Sequence, residues 1–313
     1  MRCSQRRWRS ATPSVERSAS LFVDCRCHLS EGIVSWPERG ALLWTDIHAC
    51  RLWISDEAGA RSWALPDRLG SFAVCESGKL LLGLATGLFT ANIDEAVDGA
   101  LPVTRLAEVE GDMPSTRIND GRTDRSGHFV FGTMNEEDGH PATGSFYQWS
   151  TAKGLRRLDL PRAGIANSIC FSPDGGTMYF CDSPTGRIMQ CRYDAVAADV
   201  SEVRELAVLE SHEGKPDGSI IDASGCLWNA AWGAAMVRRY RPDGTIEREI
   251  AVAAKNPTCM VLAGAALNEL YITTARQDMS PLELERVPHA GGIYRALVDG
   301  VAGLRDAPFR DGL

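Results

Sequence analysis

The chain has 313 residues, 44% of them hydrophobic, and a formal net charge of −8. That is enough apolar material for one large packed domain or two medium ones. No run of about 18 apolar residues predicts a membrane span, and the acidic balance argues against nucleic acid, whose phosphates favour a basic face. The expectation is a soluble cytoplasmic protein, monomer or homo-dimer, that handles a small molecule.

Ten cysteines are present, without a C-x-x-C pair or zinc-type spacing. Cys170, Cys181, Cys191 and Cys226 fall inside apolar strand patterns, so buried, reduced thiols are expected. The first twenty residues carry Arg2, Arg6, Arg7, Arg9 and Arg17 but lack the apolar core of a secretory signal. Residues 1–20 are expected to form a disordered extension, or to follow from a start codon placed too early, ahead of one domain over 21–313.

From there short apolar runs alternate with Gly, Pro, Asp and Asn, the texture of strands and turns. One unit recurs: a polar residue at the head of a strand, an apolar strand, a turn, and a second apolar strand. Its copies are 31–36 through the turn 37–40 to 41–46, then 71–75 through 76–78 to 79–83, then the stretch from Arg117 to Met134 around a turn at Ser126-Gly127. Three more follow: 167–171 through 172–176 to 177–182, 217–221 through 222–225 to 226–230, and 257–261 through Gly264 to 269–273. Third strands are predicted at 51–54, 144–149, 187–193, 237–240 and 292–295, each followed by an alternating, edge-like strand. The copies start about 40 to 50 residues apart, the size of a four-stranded propeller blade. Six copies predict an all-β, six-bladed β-propeller, closed by a short strand at 21–25 beside 292–296. The segment 276–287 is the best helix-like piece and is expected to be a loop with one turn.

In such a ring the heads of the innermost strands face one another. Those positions hold Glu31, Ser71, Asn119, Asn167, Asp217 and Pro257 or Thr258. Two carboxylates and two carboxamides, Glu31, Asn119, Asn167 and Asp217, are four oxygen donors of the kind a hard divalent cation takes. Arg117-Ile118-Asn119-Asp120-Gly121 also crowds a cation, a carboxamide and a carboxylate before an apolar run, although Asn-Asp-Gly by itself favours a turn. The six histidines show no ligand spacing and are expected on loops or strand faces. No G-x-S-x-G elbow occurs, which disfavours a serine hydrolase. Trp228 and Trp232 flank the Asp217 strand; core packing is the default, stacking on a sugar the lesser option.

Leu29-Ser30-Glu31-Gly32, Arg117-Ile118-Asn119-Asp120-Gly121, Gly132-Thr133-Met134, Asn167 with Ser172-Pro173-Asp174-Gly175, Pro216-Asp217-Gly218 and Thr273-Thr274-Ala275-Arg276 together resemble the senescence-marker protein/gluconolactonase/regucalcin family of sugar lactonases. The likeness runs over about 21–310. It implies metal ligation by Glu31, Asn119, Asn167 and Asp217, and substrate contacts from Arg117, Asn119 and Glu137. It also implies Asp217 as the base in a metal-assisted hydrolysis of a sugar-acid lactone to the aldonic acid. Calcium, zinc, magnesium, manganese and iron(II) all suit oxygen ligands. Among relatives the chain is most similar to bacterial aldonolactonases of pentose oxidation, which orders the expected substrates as L-arabinonolactone, then gluconolactone and xylonolactone. An organophosphate or aryl-ester hydrolase and a non-catalytic calcium-binding propeller are the alternatives. Two departures stand out. Glu31-Gly32-Ile33-Val34 replaces the commoner Glu-Gly-Pro, and Ser168 follows Asn167 where relatives usually have Gly, a change that costs little if φ stays negative.

Overall fold

The structure, a computed structural model, describes residues 14–312. It contains twenty-four strands and, among the described residues, one α-helix, Pro281–Arg286, inside the segment expected to hold a single turn. Ser280 caps that helix through a reciprocal bond with Glu283, and Pro281 starts it. No helix is long and apolar enough to cross a membrane.

Four sheets have four strands each, taken in chain order and paired antiparallel; a fifth has eight strands. The eight-stranded sheet is one run of four, from Lys215–Ile221 to Ile246–Val252, and one run of three, from Asn256–Ala263 to Ile293–Leu297, joined by the strand Ser14–Val23. That strand pairs antiparallel with Ile293–Leu297, with Leu21 opposite Tyr294, and parallel with Ile246–Val252. The predicted closing strand is therefore present with the predicted neighbour. It starts at Ser14 rather than at residue 21, inside the stretch expected to be disordered, and Asp24 and Cys25 lie beyond its end. Residues 1–13 of the expected extension lie outside the described residues.

The first strands of the six runs are Ser30–Trp36, Leu69–Val74, Thr116–Thr123, Ala166–Phe171, Lys215–Ile221 and Asn256–Ala263. Each touches the next, and the last returns to the first, so they form a closed inner ring in a β-propeller arrangement. The last strands, such as Gly59–Ala64 and Val103–Glu108, are the exposed ones. Between neighbouring sheets the apolar faces meet. Trp36, Leu43, Leu52 and Ile54 of one lie against Phe72, Leu80 and Leu82 of the next, each such side chain contributing about 1.5–3 kcal/mol on burial.

Turn chemistry explains why the copies are readable. The buried Asp222 accepts from Ser224 N, Cys226 N, Trp228 Nε1 and Arg239 Nε at 2.7–3.1 Å. Asp124 does the same for Ser126 N, His128 N and the Tyr193 hydroxyl. One carboxylate thus closes the tight turn and ties it to the core, which fixes both register and strand direction. The nine described cysteines are free, seven of them buried, as expected.

Candidate active site

Every inner strand carries a register shift near its head: between Glu31 and Val34, Leu69 and Ser71, Ile118 and Gly121, Asn167 and Cys170, Pro216 and Ser219, and Pro257 and Met260. In each case one more residue is used on the inner strand than on its partner. An inserted residue kinks the strand and re-aims a side chain, here toward the axis.

Four of those bulges deliver Glu31, Asn119, Asn167 and Asp217 to one cavity of about 170 Å³, which Arg117 also lines. Ser71 and Thr258 do not join them. Ser71 is buried with its hydroxyl unpartnered, and Thr258 is tied to Ser30 O and Thr273 Oγ1. A larger cavity, about 810 Å³, opens at the other ends of the inner strands against the C-terminal segment 304–308 and holds none of the four. Its Arg122 and Asp306 neutralise each other at 2.6 Å.

The carboxamides are oriented by their neighbours. Asn167 Nδ2 donates to Ser183 Oγ at 2.9 Å, and Ser183 Oγ donates to Pro216 O at 2.7 Å, so Asn167 turns its oxygen toward Asn119. Asn119 Nδ2 donates to Ala166 O at 3.0 Å and to Asn167 Oδ1 at 3.2 Å. Arg117 NH1 donates to Asn119 Oδ1 and to Ile118 O, both at 2.9 Å. Its Nε donates to Glu136 Oε1 at 3.2 Å, and Arg68 meets the same oxygen. Burial, and after it the charge of Arg68, push the Arg117 guanidinium down to about 10 despite Glu136.

Glu31 and Asp217 line the same cavity, and Glu31 accepts the N–H of Gly32 at 3.1 Å. Both carboxyls are raised, first by burial and then by neighbouring negative charge: Asp120 for Glu31, and Glu31 with Asp120 for Asp217. Arg117 offsets only part of the repulsion at Glu31. Among the described residues no group of three or more His, Cys, Asp or Glu could hold a metal ion. This set has two carboxylates and two carboxamides, and two crowded, buried anions beside two oriented amide oxygens fit a hard divalent cation.

Glu137 does not line the cavity. It is exposed on the loop after Asn135, and the carboxylate that meets Arg117 is Glu136. Trp228 is fully buried in the core, as expected by default, whereas Trp232 lines the cavity. His140, Lys215, Gln277 and Ser183 line it too. None of these was legible from spacing, because each is set by where a loop returns and not by a repeat position.

Ser168 departs from its expectation: φ is +61°, in the left-handed region. Its hydroxyl offsets the strain by donating to Asp217 O at 2.6 Å, and it accepts from Ser219 Oγ and Asn229 Nδ2. Ser168→Ala keeps the strain and loses those bonds, so it should destabilise by about 1–2 kcal/mol. Ser168→Gly relieves the strain and should cost less than about 1 kcal/mol. Urea midpoints of the two variants check the order.

Comparison with known proteins gives consistent likenesses. Residues 29–276 match the family described as SMP-30/Gluconolactonase/LRE-like region. An L-arabinolactonase of Azospirillum brasilense is 45% identical over 284 residues, covering 89% of this chain and 91% of that protein. A putative sugar lactone lactonase of Rhizobium meliloti (strain 1021) is 31% identical, covering 96% and 99%. Among solved structures, a calcium-binding protein, regucalcin, from Agrobacterium tumefaciens superposes with a TM-score of 0.85 at 31% identity, covering 94% of this chain and 99% of that one.

Proposed function

The chain belongs to the SMP-30/Gluconolactonase/LRE-like family and is a lactone-hydrolysing enzyme; from that premise we propose that the cavity between Glu31, Asn119, Asn167 and Asp217 opens an aldonolactone to the free acid. The observation that carries this is the arrival of four oxygen-bearing side chains from four different inner strands at one small cavity. L-Arabinonolactone leads the substrate order, ahead of gluconolactone and xylonolactone, an order supported by the likeness to the Azospirillum brasilense L-arabinolactonase.

We read the scaffold as a single six-bladed propeller over the expected 21–313 together with residues 14–20, with the eight-stranded sheet counted as two blades and Ser14–Val23 completing the second. The free cysteines suit a reducing compartment, the cytoplasm.

Asp217 takes the proton of the attacking water, its carboxylate lining the cavity beside Glu31. Arg117 has Nε and NH1 committed to protein acceptors, so NH2 remains for the lactone ring or carbonyl oxygen. Asn119 Oδ1 is held at the same guanidinium and serves both as ligand and as substrate contact. Trp232 offers an aromatic face to the sugar. A divalent cation held by Glu31, Asn119, Asn167 and Asp217 would polarise the lactone carbonyl toward water attack.

The test is acid release from a lactone panel by the chelator-stripped protein, with calcium, zinc, magnesium, manganese and iron(II) added back singly. Stripping should lower turnover at least about a hundredfold, and one ion should restore it. Hydrolysis that survives chelation ends the metal-assisted reading. Faster turnover of paraoxon or an aryl ester than of any lactone ends the choice of substrate.

A further inference from the structure

The loop after Asn135 brings a residue to the cavity that the family resemblance did not name. His140 lines the cavity, whereas Glu137, three positions earlier, stays outside it. The histidine is held in place by several independent contacts. Its ring Nδ1 lies 2.7 Å from Asn135 O. A carbonyl oxygen only accepts, so Nδ1 carries the proton, and in the neutral ring Nε2 is left with a free lone pair. Its backbone N–H donates to Glu137 O at 2.9 Å. Asn135, which anchors the loop, donates from Nδ2 to Thr143 Oγ1 at 2.9 Å and from its backbone N to Gly164 O at 2.9 Å.

Two further observations mark the position as built for a purpose. His140 has φ +46°, left-handed, immediately before Pro141. That conformation is disfavoured for any side chain and again by the following proline, and such strain persists only where the surroundings enforce it. Gly164 is part of the enforcement: a Cβ there would lie 2.3 Å from His140 O, so the loop seats on bare backbone. Nothing in the core needs an imidazole here. His140 lines the cavity, and its tautomer is fixed by the main chain of its own loop.

We propose that His140 is a specificity residue that accepts a hydrogen bond through Nε2 from a ring hydroxyl of the lactone. The inference rests on the lactonase reading and adds to it the group that distinguishes a hydroxylated sugar lactone from a bare one. A fixed acceptor inside a small cavity discriminates well, because a substrate without the hydroxyl leaves the lone pair unpaired.

The experiment compares kcat/KM for L-arabinono-γ-lactone and for γ-butyrolactone, which has no hydroxyl, in the wild-type chain and in His140→Phe and His140→Gln. The ratio of the two kcat/KM values should fall about ten- to a hundredfold in His140→Phe. His140→Gln, which keeps an acceptor, should recover part of it. A ratio that stays the same in His140→Phe, whether both rates fall or neither does, overturns the inference and leaves the lactonase reading intact. A wild-type chain inactive on both lactones overturns the reading and the inference with it.

Discussion

Asp217→Asn is expected to lose about three orders of magnitude in kcat/KM for the best aldonolactone, the scale on which a positioned general base acts, while the melting temperature stays within a few degrees. The side chain is buried at a bulge whose backbone is held independently of the carboxylate: Ser168 Oγ and Asn229 Nδ2 both donate to Asp217 O, at 2.6 and 3.1 Å. Asparagine has nearly the same shape, and it removes a buried carboxylate whose proton affinity is raised by burial and by the charge of Glu31. The native ring therefore loses a repulsion along with its base. Steady-state kinetics with a thermal melt on the same sample check this. Activity above a tenth of the wild-type value would remove Asp217 from the chemistry.

Gly70→Ala should be the most damaging small substitution at the ring, destabilising by about 3 kcal/mol or more. A Cβ at Gly70 would lie 2.4 Å from Ile118 O and 2.7 Å from Asn119 O. Both obstacles are main-chain atoms of the adjacent inner strand, so no rotamer change relieves the contact. The push falls on Asn119 itself, which should lower ion affinity before unfolding is seen. Urea denaturation and calcium titration of the variant measure the two effects. A stable Gly70→Ala protein would mean that neighbouring inner strands separate more easily than their spacing implies.

Much of this arrangement was legible because strand and turn signals repeat. Asp124 and Asp222 sit in turns whose residue types announce them, and the apolar runs on either side are of strand length. The heads of the copies then pointed to Glu31, Asn119, Asn167 and Asp217, which the fold brings to one cavity. Less visible were features that depend on two distant segments at once. The left-handed backbone at Ser168 is imposed by the bulge and stabilised by Asp217 O, and nothing in its immediate neighbours forecasts it. The choice of Glu136 over Glu137 at Arg117 turns on which way one loop leaves a strand. His140 belongs to a segment already under suspicion, yet its role depends on Gly164 in the next run. The third strand of the second run, Gly87–Ala91, was not among the predicted third strands.

The strand Ser14–Val23 has a consequence for how the molecule is made. Ser20 Oγ donates to Arg295 O, 275 positions away along the chain, so the sheet containing both is completed only after almost everything between has been synthesised. Loop-closure entropy of that length is modest, since it grows only with the logarithm of the number of residues, but the order of events is constrained. Until the seam joins, the edges of Ile246–Val252 and Ile293–Leu297 stand open to any passing strand. Slow renaturation and loss to aggregates during that interval are the expected signature of a ring fastened by its own two ends.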